Sequence, residues 1–200
     1  MPLELRADRY RFGVSMNAVD MQRALLRHTH SLPNTPDVEE QAERLRASDF
    51  SLRAAEQFSK LVCKWGGYSG IAGRMLKTLR ERGDQEDLPV ALRTADAALA
   101  EEGGVRAALE AMIALPELGI SFASKHLRML APNRAVVFDS FVRDGLGYED
   151  DADGYVSFLE DCMHVRDHLN GTRVRNPTRP GTGWYVADVE AAIFARLRGF

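Results

Sequence analysis

Apolar residues recur at intervals of three and four along most of this chain and almost nowhere at intervals of two. In SLRAAEQFSKLVCKW (51–65), Leu52, Ala55, Phe58, Leu61, Val62 and Trp65 share one helical face, which predicts a helix packed on a core. GGYSG (66–70) interrupts this pattern, and helical spacing resumes through IAGRMLKTLRERG to Gly83. DLPVALRTADAALAEEGG predicts a helix that opens at Asp87 and stops at Gly103–Gly104, with VRAALEAMIAL as the next. YVSFLEDCMHVRDHLNG (155–171) predicts a helix ending at Gly171, and DVEAAIFARLRGF a closing one with Asp188 as N-cap. Turn residues mark breaks at SLPNTPD (31–37), EDDADG (149–154) and TRVRNPTRPGTG (172–183). Residues 1–38 are mixed, and Thr35 or Asp37 is expected to cap VEEQAERLRASDF, a mostly charged helix lying on the surface. Only RAVVF has extended character, and no repeat of fixed period occurs, so the predicted fold class is all-α.

Two hundred residues suffice for one large domain or two small lobes with a real core. A formal charge of −3 excludes a strongly basic nucleic-acid coat but leaves room for a local basic face. The only cysteines, Cys63 and Cys162, exclude a disulfide framework and a four-cysteine metal or iron–sulfur site, and are expected to be buried thiols. No apolar run approaches the roughly 20 residues that span a bilayer, and MPLELRADRYRF carries charges where a signal peptide is apolar. The expectation is a cytoplasmic monomer without membrane contact.

The most informative stretch is LPELGISFASKHLRMLAPNRAVVFDSFVRDGLGY, residues 115–148. Pro116 and Gly119 flank a tight turn between predicted helices 104–114 and 120–131. Such a hairpin leaves the first N–H groups of its second helix unpaired, with the positive end of the helix dipole beside them. That is an anion site suited to a phosphodiester; a plain αα-turn capped by Gly119 fits the same residues. Lys125, His126, Arg128, Arg134 and Arg143 lie nearby, opposed by Glu117, Asp139 and Asp144. Asp139 is the natural N-cap of a helix at 140–147. Beside Val137 and Phe138 it is also a partly desolvated carboxylate, able to stabilise a sugar cation or to hold a nucleophile.

The two elements together resemble the helix-hairpin-helix DNA glycosylase superfamily. Its hairpin reads like L-P-G-V-G, and an aspartate in a V-D-x-H-V-x-R segment follows about twenty residues later. Leu115, Pro116, Leu118 and Gly119 match the hairpin, and Ala123 the small residue on the next helix. Val137, Asp139, Ser140, Val142 and Arg143 match the aspartate segment, and the clear likeness covers about 34 residues. It implies an all-α, two-lobed protein, a single helical glycosylase-like domain over 1–200 with its cleft between the lobes. The hairpin would grip the backbone of double-stranded DNA, often with a monovalent cation at its carbonyls and no other cofactor required. The target nucleotide is everted because its glycosidic bond cannot be reached in the stack. Asp139 would then support cleavage of that bond.

Two residues depart from the pattern. Glu117 replaces the first hairpin glycine, and Ser121 stands where bifunctional members carry the Schiff-base lysine. Lys125, one turn on, is the remaining amine and is expected either to replace that nucleophile in lyase chemistry or to pair with phosphate. Leu118, Gly119, Ser121, Arg128, Arg143, Arg173 and Arg175 are expected at the DNA, in a nucleoid-associated protein. Trp65, Tyr68, Phe122 and Trp184 serve either as base-pocket aromatics or as core. Residues 144–161 hold seven acidic side chains and no Lys or Arg, so that surface is expected to face away from DNA. In 162–184, four arginines oppose one aspartate, and the loop is either solvated or laid along the phosphate backbone. His164 and His168 in HVRDH lack a third zinc ligand and read as a surface pair, with no metal expected. Compact 8-oxoguanine-type members without a cluster are the branch most resembled. Removal of hypermodified phage bases in defence, a non-catalytic DNA-binding role, and a helical protein unrelated to nucleic acid stay open.

Overall fold

The computed structural model describes residues 17–199, which form ten helices and no strand. They are α1 (Ala18–Ser31), α2 (Thr35–Ala47), α3 (Leu52–Trp65), α4 (Gly70–Arg82), α5 (Asp87–Ala100), α6 (Val105–Ile113), α7 (Ile120–Leu130), α8 (Ser140–Leu146), α9 (Ala152–Gly171) and α10 (Val186–Arg198). The chain divides into two compact units: Asn34–Ala131 forms one, and the segments ending at Pro33 and beginning at Pro132 form the other. The stretch MPLELRADRYRF lies outside the described residues.

In the 34–131 unit, α3 packs against α2, α4, α5 and α7, and α7 against α2, α3, α5 and α6. Every residue of α7 from Ala123 to Leu130 is buried. The helical face predicted for α3 is the one it buries, through Ala55, Phe58, Val62 and Trp65. Leu88, Leu92, Leu109, Met112 and Leu127 complete the core. α2 is more than a charged surface helix, since Val38, Ala42 and Leu45 are buried at intervals of four and three. Arg46 ties it across the unit, with Nε 3.1 Å from Asp96 Oδ1 on α5 and Nη2 donating to the Leu130 carbonyl at 2.7 Å. That second bond satisfies a carbonyl at the end of α7, where the helix itself supplies no partner. The cap of α2 is Asn34, not Thr35 or Asp37. Pro36 belongs in the first helical turn, where its missing N–H is harmless, and this moves the start upstream. The Thr35 hydroxyl is used instead by Trp65 Nε1, at 2.9 Å.

In the other unit, α10 packs against α1, α8 and α9. α1 lies in a stretch without a helical prediction, yet it buries Met21, Ala24, Leu25 and His28 on one face and is capped by Asn17, which accepts from Asp20 N at 3.0 Å. α9 begins at Ala152, inside the predicted loop, because Asp151 Oδ1 accepts from Gly154 N at 2.7 Å. Gly154 is required there, since a β-carbon would stand 2.1 Å from the Glu149 carbonyl oxygen. α10 starts at Val186 with Tyr185 as N-cap, and Asp188 is the third helical residue, accepting from Tyr185 N at 3.0 Å. Asn170 fixes that start earlier than Asp188 alone would, by bonding both the N–H and the carbonyl of Trp184. RAVVF runs without regular structure, with Ala135–Phe138 buried.

Candidate functional site

The hairpin between α6 and α7 is closed by Leu118 N donating to the Leu115 carbonyl at 3.4 Å, and both leucines are buried. Its sharp reversal is made at Glu117, whose φ of 66° is left-handed. This is the position at which the resembled pattern carries its first glycine, and a glycine is what such a backbone favours. The Glu117 side chain turns to Arg74 on α4, with Oε2 2.8 Å from Nε. Glu117→Gly and Glu117→Ala both lose that pair, but only alanine keeps a strained β-carbon. Chemical unfolding should therefore find the glycine variant more stable by about 1 kcal/mol.

Gly119 is the N-cap of α7 with extended backbone (φ −84°, ψ 174°), which any residue adopts. No side chain caps that helix start, and a β-carbon at Gly119 would meet nothing within 4 Å. Neither conformation nor internal packing requires glycine here. Its effect is to keep open the space in front of the first α7 amides.

The basic residues of α7 are not a surface set. Lys125 is only 6% exposed; its Nζ lies 3.0 Å from Ser121 Oγ and 4.7 Å from the Phe122 ring centre. Its stem fills the space left by Gly66, where a β-carbon would come within 2.7 Å of Lys125 Cδ. The glycine-rich turn after α3 thus serves a close approach of α3 to α7. Arg128 is buried with Nη1 2.6 Å from Glu39 Oε1 and its guanidinium 5.4 Å from the Trp65 ring. In this conformation it is enclosed and neutralised, not presented to a phosphate. Trp65 is a core side chain of the same cluster, Phe122 is half-buried and Tyr68 is exposed.

His126 is fully buried, and its Nδ1 lies 2.7 Å from the Phe122 carbonyl oxygen. An oxygen acceptor requires Nδ1 to carry the proton, leaving Nε2 bare, and Nε2 has no partner. Burial pushes the imidazole pKa down to about 4 from 6.5, with Lys125 adding to the depression against the Phe122 bond. The folded ring stays neutral where the unfolded one takes a proton, so stability falls as pH drops from about 6.5 and levels off below about 4. The loss is about 3 kcal/mol, absent in His126→Leu; urea unfolding across that pH range measures it.

Asp139 lies in the other unit. Phe138 before it is locked among Tyr148, Tyr155 and Phe158, with ring centres 5.9–6.2 Å away. Val142 after it is buried, and its N–H donates to Asp139 Oδ1 at 3.0 Å. The carboxylate is therefore the N-cap of α8, fixed from both sides, and its residue is partly buried rather than sealed in the core. Arg143 on α8 pairs with Asp144 at 2.8 Å and with Asp150, so two carboxylates already occupy the cation expected at DNA.

The 172–183 loop is a folded structure. Asn176, buried, donates to Asp188 Oδ2 at 2.8 Å and accepts from the N–H groups of Thr178 and Arg179. Arg179 pairs with buried Asp188 at 3.0 Å and lies 4.6 Å from the Tyr185 ring centre. Arg173 and Arg175 are exposed on this scaffold, and Arg173 sits in a left-handed turn (φ 57°). Trp184 is a core residue, 1% exposed, with Nε1 donating to the Val174 carbonyl at 2.9 Å. Both cysteines are buried free thiols, and burial drives the pKa of each upward, that of Cys63 to about 11. His164 and His168 are exposed on α9. Among the described residues no group of three or more His, Cys, Asp or Glu is placed to hold a metal ion, and no helix is long and apolar enough to cross a membrane.

Comparison with protein-family models, curated proteins and solved structures gives no match to this chain. Sequence spacing missed the Arg74–Glu117–Tyr68 cluster at the hairpin and the Asn176–Arg179–Asp188 staple. The NP and RP dipeptides mark a turn at the staple, but nothing local pairs residues nine or more apart.

Proposed function

We propose that this chain is a DNA glycosylase that everts a damaged or modified nucleotide and releases its base by hydrolysis. The observation that carries the proposal is the left-handed backbone at Glu117, in the hairpin position where the resembled pattern has glycine, ahead of an uncapped α7 start. A hairpin of this kind grips a phosphodiester through backbone amides, and a monovalent cation at its carbonyls belongs to the same proposal. Asp139 is the carboxylate at the matching interval, partly buried and held at a helix start by its bond from Val142 N. Its part is to stabilise the cationic sugar as the glycosidic bond lengthens and to orient water toward C1′. The C1′–N bond breaks with its electron pair leaving on the base, the water oxygen bonds C1′, and the water proton ends on the departing base. An abasic site remains.

Lyase chemistry at residue 121 has no amine, and the Lys125 amine is enclosed against Ser121 and Phe122. Water is therefore the proposed nucleophile, and the strand stays uncut until alkali is added. Duplexes carrying 8-oxoguanine, uracil, alkylated purines or hypermodified cytosines, incubated with the protein and analysed with and without alkali, test this. Alkali-dependent breaks at one modified base are expected, with 8-oxoguanine the first candidate. Duplex binding with no break on any substrate would favour a non-catalytic DNA-binding protein.

A further inference from the structure

Arg74 stands outside the basic residues that the sequence pattern singled out, yet its side chain reaches the hairpin. Its Nε donates to Glu117 Oε2 at 2.8 Å, its Nη1 donates to the Tyr68 hydroxyl at 3.0 Å, and its guanidinium lies 5.3 Å from the Tyr68 ring centre. Tyr68 rests in turn on Gly70, where a β-carbon would stand 3.1 Å from the ring. The cluster is open to solvent, with the arginine side chain 48% exposed and Tyr68 53%. An ion pair at such exposure adds little to stability, so the fold alone does not explain three side chains fixed in register. Fixing does have a consequence for binding. An exposed arginine ordinarily loses rotamer freedom when it takes a ligand, and this one is already ordered. Glu117 occupies the Nε edge of the fork, and Nη2 keeps both its donors without a partner among the described residues. A planar fork offering paired N–H groups is the geometry that receives a phosphate oxygen, and the uncapped start of α7 follows three residues after Glu117.

We propose that Arg74 is a phosphate-binding residue of the hairpin, and that Glu117 is its positioning residue rather than a repulsive charge beside the DNA. The inference rests on the proposed DNA-binding role and adds the group by which this chain compensates for a carboxylate in its hairpin. It makes an unusual demand: removing a negative charge from a DNA-binding turn weakens binding.

Fluorescence anisotropy of a labelled unmodified duplex, titrated with the full chain at several KCl concentrations, tests it. Arg74→Ala is expected to weaken binding about tenfold at low salt and to reduce the slope of log affinity against log salt by about 0.9. Arg74→Lys keeps the charge and restores the slope, with an affinity between the two. Glu117→Gly, compatible with the left-handed backbone, weakens binding about threefold when Arg74 is present and tightens it when Arg74 is alanine. An Arg74→Ala slope equal to wild type, or tightening by Glu117→Gly in both backgrounds, overturns the assignment. If wild type binds no duplex at low salt, the DNA reading falls and Arg74 with it; if wild type binds and Arg74→Ala changes nothing, only Arg74 falls.

Discussion

Glu39→Ala destabilises the 34–131 unit by about 3–5 kcal/mol. Arg128 is 2% exposed, with Nη1 2.6 Å from the Glu39 carboxylate and its Nε without a partner. Removing the carboxylate leaves a guanidinium buried against Trp65 with its counter-charge gone, and a buried unpaired charge is among the most destabilising local changes known. Removing both charges is a different matter. Glu39→Leu with Arg128→Met replaces the pair with apolar groups of similar reach, and its effect should fall far below the sum of the single changes. Native-state hydrogen exchange of the α7 amides reads the stability of this unit directly. A single-variant loss under about 1 kcal/mol would mean that water already solvates the pair.

If the proposed glycosylase activity holds, Asp139→Asn is expected to lower base release about a thousandfold while leaving the fold intact. The two halves of this expectation separate because of what Asp139 does locally. Its Oδ1 caps α8 by accepting from Val142 N, and asparagine caps a helix start as well as aspartate does. Thermal unfolding of Asp139→Asn should therefore match wild type within a few tenths of a kcal/mol, whereas Asp139→Ala loses about 1 kcal/mol with the cap. What asparagine lacks is the negative charge that a developing sugar cation needs. Duplex affinity should hold in Asp139→Asn, which places the defect in the chemical step. If single-turnover base release survives in Asp139→Asn, then Asp139 is a cap and nothing more.

Periodicity alone located α3, α4, α5, α6 and α7 closely, because each carries a long apolar face between strong breaks. It missed α1, whose buried face includes His28 and whose exposed side carries Val19 and Leu26, blurring the pattern. Helix starts went astray where a tertiary partner decides them: Thr35 serves Trp65 and not α2, and Asn170 holds Trp184 so that α10 begins before Asp188. The largest error concerns SKHLRML. Lysine, histidine and arginine there look like a basic surface, yet α7 is the helix that its neighbours enclose. Nothing within α7 reveals that, since the partner of Arg128 is Glu39, 89 positions earlier. The hairpin itself was legible from Leu115, Pro116 and Gly119. Its tightest residue was not, because Glu117 is in a conformation its side chain disfavours, and the Arg74 that holds it is 43 positions away.

In the proposed reaction the 139 carboxylate acts on the sugar of a nucleotide in DNA. Mass spectrometry of the modified strand after a single turnover tests it most directly. Wild type is predicted to convert the strand to one in which the base is replaced by hydroxyl at C1′, with the free base in solution and the backbone unbroken. Asp139→Asn, bound to the same duplex, is predicted to leave the strand mass unchanged. Equal conversion by both proteins, or an unaltered strand with wild type on every modified base, would rule out this role for Asp139.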